Sequence, residues 1–221
     1  YARPLSRVPY RLFALSNLGS LVGLLAYPFA VEPWITNKTQ SLAWSWGYVL
    51  FVLCCAISAW ASRKRETKDI QDPVADTSRS VAPSARDKLL WLGLSATGSM
   101  LLIAVSNHIC QNIASIPFLW IVPLSLYLLT FILCFDTTGW YRRALFLPLA
   151  AAAIIAMGPP LTSLELKLAI PIHLAGLFVL CMVCHGELSL SRPAPRYLTG
   201  FFLIISGGGV LGGLTVGIAA S

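Results

Sequence analysis

The sequence predicts an all-α, polytopic membrane protein, a bundle of about seven transmembrane helices. Of the 221 residues, 57% are hydrophobic and only 11% are charged, so a water-soluble fold would lack the polar residues needed to cover its surface. The uncharged stretches are also long enough to span a bilayer. Because a helix rises about 1.5 Å per residue, about 20 residues cross the roughly 30 Å hydrocarbon core.

Seven uncharged stretches come close to that length or exceed it. The third and fourth come from a single run between Lys88 and Asp136, which the polar residues Asn107, His108, Gln111 and Asn112 divide before Pro117; we expect a tight turn there. An odd number of helices places the two termini on opposite sides of the membrane. The predicted helices cover residues 12–31, 42–61, 89–107, 118–135, 144–163, 168–184 and 197–219.

The basic residues indicate the orientation, because cytoplasmic loops carry an excess of lysine and arginine. With the N-terminus in the cytoplasm, fourteen basic residues lie inside and only Lys38 and Lys167 lie outside. The sequence therefore predicts a cytoplasmic N-terminus and an outer C-terminus. The inner residues are Arg3, Arg7, Arg11, Arg63, Lys64, Arg65, Lys68, Arg79, Arg86, Lys88, Arg142, Arg143, Arg192 and Arg196.

Aromatic residues occur near the predicted helix ends, as in the interfacial belts of membrane proteins. The outer belt would contain Trp34, Trp44, Trp46 and Trp120, and the inner belt would contain Trp60, Trp91, Trp140 and Tyr141. One polar segment, residues 62–88, is rich in charge, serine and proline and is typical of a flexible linker. It predicts a two-helix unit over residues 1–61 and a five-helix unit over residues 89–221.

The string from Cys181 to His185 has the C-x-x-C-H pattern that attaches c-type haem through two thioethers. However, haem is attached on the outer side of a bacterial membrane, whereas the charge pattern places His185 at the cytoplasmic end of the sixth helix. A zinc site would need a fourth ligand, for which Glu187 is the local candidate. We favour two buried thiols, Cys181 and Cys184, followed by an interfacial histidine, and we expect no cofactor.

The glycine-rich stretch near the C-terminus lacks the preceding strand and the following acidic residue of a nucleotide-binding loop. Its spacing instead gives small-xxx-small repeats, which let helix backbones approach closely in lipid. We therefore predict a helix-packing role for Gly208, Gly209, Gly212, Gly213 and Gly217, and for Gly19 and Gly23 in the first helix.

Polar residues at membrane depth are costly and are candidates for function. One group lies in the first helix and a second near the turn after the third, and together they predict a polar cavity. The alternative is that they form hydrogen bonds between helices or cap helix ends. No Asp, Glu, Lys or Arg falls in the middle of a predicted span. The candidate cavity residues are Ser16, Asn17, Ser20, Ser106, Asn107, His108 and Gln111.

No catalytic grouping appears in the sequence. There is no H-E-x-x-H motif, and no serine, histidine and acid are spaced for nucleophilic catalysis on one face of the membrane. The basic residues fall between apolar runs and do not form a stripe interleaved with aromatics, so a nucleic-acid partner is not predicted. The expected partners are the lipid bilayer and other membrane subunits or a soluble domain.

Five separated strings carry a family resemblance, at residues 9–20, 26–28, 107–108, 126–135 and 181–188. They resemble the membrane region of the bacterial fused major-facilitator-like transporter and spermidine synthase family. In that family the helical region is joined to a soluble aminopropyltransferase-like domain, which this sequence lacks. The resemblance implies a membrane module without its enzyme, in the inner (plasma) membrane of a bacterium, and makes the C-M-V-C-H string a family feature in proteins not known for haem.

Three functions follow as hypotheses. The first is a transporter-like or substrate-channelling module, for a polyamine or another small organic cation, with a polar cavity lined from helices one, three and seven. The lack of a buried carboxylate weighs against a cation. The second is a structural or accessory subunit of a larger membrane assembly. The third is a redox subunit that carries haem on Cys181, Cys184 and His185.

Overall fold

The computed structural model describes residues 8–66, 82–112, 119–136, 139–158 and 166–219. Over these ranges the chain forms seven α-helices and no strand, which confirms the predicted fold class. The helices are α1 (Val8–Ala26, continued by a π-helical turn, Tyr27–Val31), α2 (Asn37–Glu66), α3 (Ala85–Asn112), α4 (Ile121–Asp136), α5 (Arg143–Ala156), α6 (Leu166–Leu190) and α7 (Leu198–Ala219, preceded by a 3-10 turn, Pro195–Tyr197).

Five of these helices are long and apolar enough to cross a membrane, so the chain is a multi-pass membrane protein. Helices α4 and α5 are apolar but shorter, with 16 and 14 residues. At 1.5 Å per residue they are about 24 and 21 Å long. The five candidate spans are Leu12–Val31, Asn37–Ser62, Ala85–Gln111, Leu168–Leu190 and Pro195–Ala219.

Most helices extend beyond a predicted boundary, and α2 does so by five residues at each end. Helix α3 continues through the polar string to Asn112, so these residues do not break the helix as expected. Polar side chains are compatible with a helix because its backbone hydrogen bonds are made internally. Helix α6 continues past its predicted end at Cys184 to Leu190, and Glu187 in this added part is paired with Arg143.

Helix α5 is shorter than predicted, because its last helical residue is Ala156. The backbone N–H of Met157 bonds to Ala153, and that of Gly158 bonds to Ile155, which closes the final turn. Two prolines follow directly in the sequence, and a proline disfavours helical geometry in the residue before it. The rest of this predicted span lies outside the described residues, as do Pro117, Arg3, Arg7, Lys68 and Arg79.

The chain divides into two compact units, one of residues 1–25 and 82–221 and the other of residues 26–81. The smaller unit contains the π-helical turn, where Pro28 lacks an N–H and the N–H of Glu32 bonds to Tyr27 at 2.9 Å. The Tyr27 hydroxyl donates to Gln40 (3.2 Å), whose amide donates to the carbonyl of Ile35 (2.7 Å). These bonds tie the turn to the start of α2.

In the larger unit, side-chain contacts show that helices α3 to α7 alternate in direction along the chain. Helices α3 and α6 are antiparallel, because Trp91 bonds to Ser191 while His108 stacks on His173. Helices α5 and α6 are also antiparallel, because the start of α5 contacts the last part of α6, whereas the end of α5 contacts the middle of α6. By the same reasoning α3 and α7 are parallel, and so are α4 and α6. This alternation is the one expected of helices that each cross the membrane once.

One end of this unit, here called the basic end, is formed by the starts of α3, α5 and α7 and the ends of α4 and α6. At the opposite end, the first turn of α6 contains Lys167. Tertiary structure thus gathers the charges of sequence-distant segments at one end. The basic residues at the basic end are Arg86, Lys88, Arg142, Arg143, Arg192 and Arg196.

An aromatic core lies towards the basic end. The Phe13 ring of α1 packs on Phe202 and Phe131, with centroids 4.1 and 5.3 Å apart. Trp91 is only 2% exposed and meets Phe201 edge-on at 4.9 Å. Trp91 and Tyr141 are therefore core residues and not members of an exposed interfacial belt, because their polar atoms find partners inside the bundle.

Helices α3 and α7 approach each other closely at two glycines. A Cβ atom at Gly208 would lie 2.6 Å from the carbonyl oxygen of Leu92, and one at Gly212 would overlap the carbonyl of Ala96. The Ser95 hydroxyl donates to the carbonyl of Ile205 across the same interface (2.6 Å). Gly209 and Gly213 lie at ordinary contact distance from α3, whereas Cβ atoms at Gly19, Gly23 and Gly217 would meet nothing within 4 Å.

A polar cluster joins the start of α5 to α6. The Tyr141 hydroxyl donates to Glu187 at 2.8 Å, and Arg143 donates to both carboxylate oxygens at 2.6 and 2.5 Å. The Tyr141 ring packs directly on Gly186, where a Cβ would overlap it. Burial, and after it the hydrogen bond to Glu187, raise the pKa of Tyr141 above its usual range.

Replacing Tyr141 with phenylalanine is expected to lower the free energy of unfolding by about 1.5 kcal/mol at neutral pH, because the hydroxyl bonds to a charged group. Arg143→Gln is expected to cost less than about 1 kcal/mol, since the Arg143 side chain is 62% exposed.

Because the folded state raises the Tyr141 pKa, the wild-type protein loses the stability that this group contributes as the pH rises above about 10, and Tyr141→Phe does not share this loss. Thermal unfolding in detergent between pH 7 and 11 measures both effects; equal alkaline loss in the two proteins would contradict the assignment.

Candidate functional site

A groove of about 560 Å³ lies between α3 and α7 near the end opposite the basic end. The two parallel helices form its walls, and it lies beyond their close contacts at Gly208 and Gly212, where a Cβ atom at Gly217 would meet nothing within 4 Å. The lining residues are Thr97, Met100, Leu101, Ala104, Asn107, His108 and Gln111 from α3, and Thr215, Val216 and Ala219 from α7.

The polar groups of the groove are concentrated near the end of α3. Asn107, His108 and Gln111 occupy its last two turns, whereas Met100 and Leu101 line the part nearer the middle of the helix. The two threonine hydroxyls that line the groove bond to carbonyls one turn earlier in their own helices, at 2.8 Å. The groove therefore combines an apolar wall with amide and imidazole groups at one end.

A second histidine, on α6, packs against the ring of His108. The rings of His108 and His173 are stacked, with centroids 4.5 Å apart and planes at 28°. The Nδ1–H of His173 donates to the carbonyl of Ala169 at 2.8 Å, which fixes this ring on α6. The sequence did not predict this stack. Its two residues lie 65 positions apart and meet only because α3 and α6 pack in an antiparallel register.

The other candidate cavity residues do not line the groove. Asn17 donates to the carbonyl of Phe13 (2.9 Å) and Ser20 donates to that of Ser16 (3.2 Å), so this group is bonded within α1. Ser106 lies on α3 outside the set of lining residues. The described groove is thus formed from helices three and seven, without the contribution from helix one that the sequence predicted.

The C-x-x-C-H residues lie inside the bundle. Cys181, Cys184 and His185 are 0%, 5% and 1% exposed. The thiols are buried as expected, but His185 is not interfacial: its ring packs against Tyr127 and Phe131 of α4, at 4.7 and 4.8 Å. A haem on these residues would have to displace that packing. Among the described residues, no three His, Cys, Asp or Glu side chains are grouped to hold a metal ion.

Hydrogen bonds orient the His185 ring. The Thr130 hydroxyl donates to the carbonyl of Tyr127 at 2.8 Å and lies 3.0 Å from His185 Nδ1. Because the single hydroxyl proton is used by that carbonyl, Nδ1 carries the proton and donates to Thr130. The other nitrogen, Nε2, faces Gly98, where a Cβ would lie 3.5 Å away. The histidine therefore joins α4 and α6 and packs against α3.

Comparisons with known proteins give no relative. No family model, no curated protein and no solved structure matches this chain. The resemblance to the fused transporter and spermidine synthase family therefore remains a prediction, and the site must be interpreted from its own geometry.

Proposed function

We propose that this chain is a non-catalytic membrane module of the transporter-like or substrate-channelling kind, which binds a small organic molecule in the α3–α7 groove. The observation that carries the proposal is the placement of Asn107, His108 and Gln111 around one cavity at the end of a membrane-spanning helix. Polar residues at membrane depth are candidates for function, and a cavity between helices is a common site for ligands.

The lining favours an amphipathic ligand without a net positive charge. None of the described residues that line the groove is acidic, so a polyamine would lose its hydration without gaining a carboxylate. Amide and imidazole groups can donate and accept hydrogen bonds with a neutral polar head. The wall formed by Met100, Leu101, Ala104 and Val216 would contact an apolar body. We therefore propose a neutral hydrogen-bonding amphiphile in preference to a polyamine.

We also propose that the basic end faces the cytoplasm of a bacterial cell, with the chain in the inner membrane. The gathering of six described basic residues at this end supports the orientation, because excess Lys and Arg remain on the cytoplasmic side. The groove would then open towards the outer half of the bilayer. Labelling of a single cysteine introduced at Ala219, with a reagent that does not cross membranes, tests this orientation in intact cells.

Photoaffinity labelling in nanodiscs tests the ligand class. The probes are a diazirine derivative of a fatty-acid amide and a diazirine derivative of spermidine, and the labelled peptides are identified by mass spectrometry. We expect the amide probe to label the ends of α3 and α7. Thr215→Phe, which fills the groove, is expected to reduce this labelling roughly tenfold. The matched control is Leu214→Phe, because Leu214 is 56% exposed and does not line the groove.

Two outcomes would contradict the proposal. Groove labelling by neither probe, or equal labelling in the Thr215→Phe and Leu214→Phe variants, would remove the evidence for a ligand there. Stronger groove labelling by the spermidine probe would show that the groove prefers a cation to a neutral ligand, as the family resemblance implies.

A second candidate function, an accessory subunit of a larger membrane assembly, is favoured by α2. Every side chain from Ser41 to Ser62 is exposed, including Trp44, Trp46 and Trp60. A helix with this surface can face lipid or pack on another membrane protein. Native mass spectrometry after extraction in a mild detergent distinguishes these cases, and a lone, stable monomer would argue against the subunit.

A further inference from the structure

A second cavity, of about 270 Å³, lies at the basic end between the starts of α3 and α7. It is separate from the groove, which lies towards the other end of the same helix pair. Its rim carries Lys88 from the first turn of α3 and Arg196 from the turn before α7. Its interior is formed by Trp91, Tyr197, Phe201 and Ile204.

The interior of this cavity is formed mainly by aromatic rings. Trp91 and Phe201 are 2% and 0% exposed, and their rings meet edge-on at 4.9 Å. The Trp91 N–H donates to Ser191 at 3.2 Å, which fixes the indole. The cavity therefore has a preformed base with two cationic side chains above it.

The charge at the rim is positive. The Arg196 guanidinium lies 4.5 Å from the centre of the Tyr197 ring, which places it beside the cavity. None of the described residues that line the cavity is acidic. The nearest acid along α3, Asp87, accepts hydrogen bonds from the backbone and hydroxyl of Ser84 at 2.9 and 2.8 Å, so it caps the helix. The site is complementary to an anion.

The cavity also lies at the depth of lipid headgroups. Two candidate membrane spans begin at Ala85 and Pro195, so Lys88 and Arg196 occupy the first turn of each. Exposed apolar residues follow, Leu89 directly after Lys88 and Leu203 two turns after Arg196, and they are 69% and 72% exposed. A headgroup in the cavity would leave its acyl chains along this surface. Basic pockets between helix ends are recognised sites for anionic headgroups.

We propose that this basic-end pocket binds the phosphate headgroup of one anionic phospholipid. Lys88 and Arg196 contact the phosphate oxygens, and the acyl chains lie against the exposed leucines of α3 and α7. The bound lipid links the starts of these two helices. This site is independent of the ligand proposed for the α3–α7 groove.

Native mass spectrometry of the delipidated chain tests the proposal by titration with phosphatidylglycerol or with phosphatidylcholine of the same acyl chains. We expect one preferred phosphatidylglycerol per chain. Lys88→Gln/Arg196→Gln is expected to weaken its binding about thirtyfold, because each basic residue near an anionic surface contributes about fivefold. The matched control is Arg86→Gln/Arg142→Gln, which removes the same charge at the same end from residues that do not line the pocket.

A second variant tests the pocket without changing its charge. Gly200 lines the pocket, and a Cβ there would meet nothing within 4 Å, so Gly200→Trp can fold while filling the opening. We expect it to weaken phosphatidylglycerol binding about as much as the charge variant. An equal loss in the control, unchanged binding in Gly200→Trp, equal binding of phosphatidylcholine, or complete displacement by inorganic phosphate would each overturn the proposal.

Discussion

The double variant Gly208→Ala/Gly212→Ala is expected to destabilise the protein by about 4 kcal/mol, since overpacking costs about 1–3 kcal/mol at each position. A methyl group at either position would meet the backbone of α3, at the carbonyls of Leu92 and Ala96. A backbone cannot rotate away as a side chain can, so the two helices must separate. The loss of the Ser95 hydrogen bond to Ile205 would follow.

The chain provides matched controls for this prediction. A Cβ at Gly217 would meet nothing within 4 Å, and one at Gly213 would meet the flexible end of Ile103 at 3.5 Å. Because alanine is a better helix former than glycine by about 1 kcal/mol, both control variants are expected to be neutral or slightly stabilising. Thermal unfolding followed by size-exclusion chromatography of a fluorescent fusion measures all of the variants. A similar loss in the Gly217→Ala control would show that the effect is not due to α3–α7 contact.

His185→Ala is expected to cost about 3 kcal/mol, through a cavity between α3, α4 and α6 and the loss of a buried hydrogen bond. The ring is 1% exposed and is held between Tyr127, Phe131 and Thr130. This prediction separates a structural histidine from the interfacial residue that the sequence suggested. The same unfolding assay in detergent measures it.

The tautomer assigned to His185 gives a sharper test of the contact. Asparagine places its amide nitrogen near the position of Nδ1, whereas glutamine places it near Nε2. His185→Asn is therefore expected to recover about 1 kcal/mol of the loss by donating to Thr130, and His185→Gln is not. Thr130→Val should remove the advantage of asparagine in a double-mutant cycle. Equal stability of the Asn and Gln variants would contradict the proposed donor.

The orientation of individual residues was less predictable than the helices themselves. Trp91 and Tyr141 occur near helix ends, which is typical of an interfacial belt, but their polar atoms bond to Ser191 and Glu187 and the rings are buried. The predicted sixth helix ends at Cys184, before the charge of Glu187, because an unpaired charge is costly in lipid. Its pairing with Arg143 offsets that cost, and no local signal in the sequence reveals the pairing.

The candidate site was predicted in part. Asn107, His108 and Gln111 are candidates because polar residues are rare in apolar runs, and all three line the groove. The same criterion selects Asn17, which bonds to its own helix. Sequence polarity cannot distinguish these cases, because a polar side chain can be satisfied by its own preceding turn or by a neighbour.

The sequence by itself determined the fold class and, for the described ranges, the number of helices and most of their approximate positions, because burial in lipid requires long uncharged runs that satisfy their own backbone groups. It also marked the polar residues of the groove. Only the tertiary structure decided which helices pair and in what register: Gly212 against α3, His108 on His173, and His185 beside Thr130. The physical reason is that lipid and a neighbouring helix are almost equally apolar, so hydrophobicity does not reveal which face of a membrane helix meets a partner.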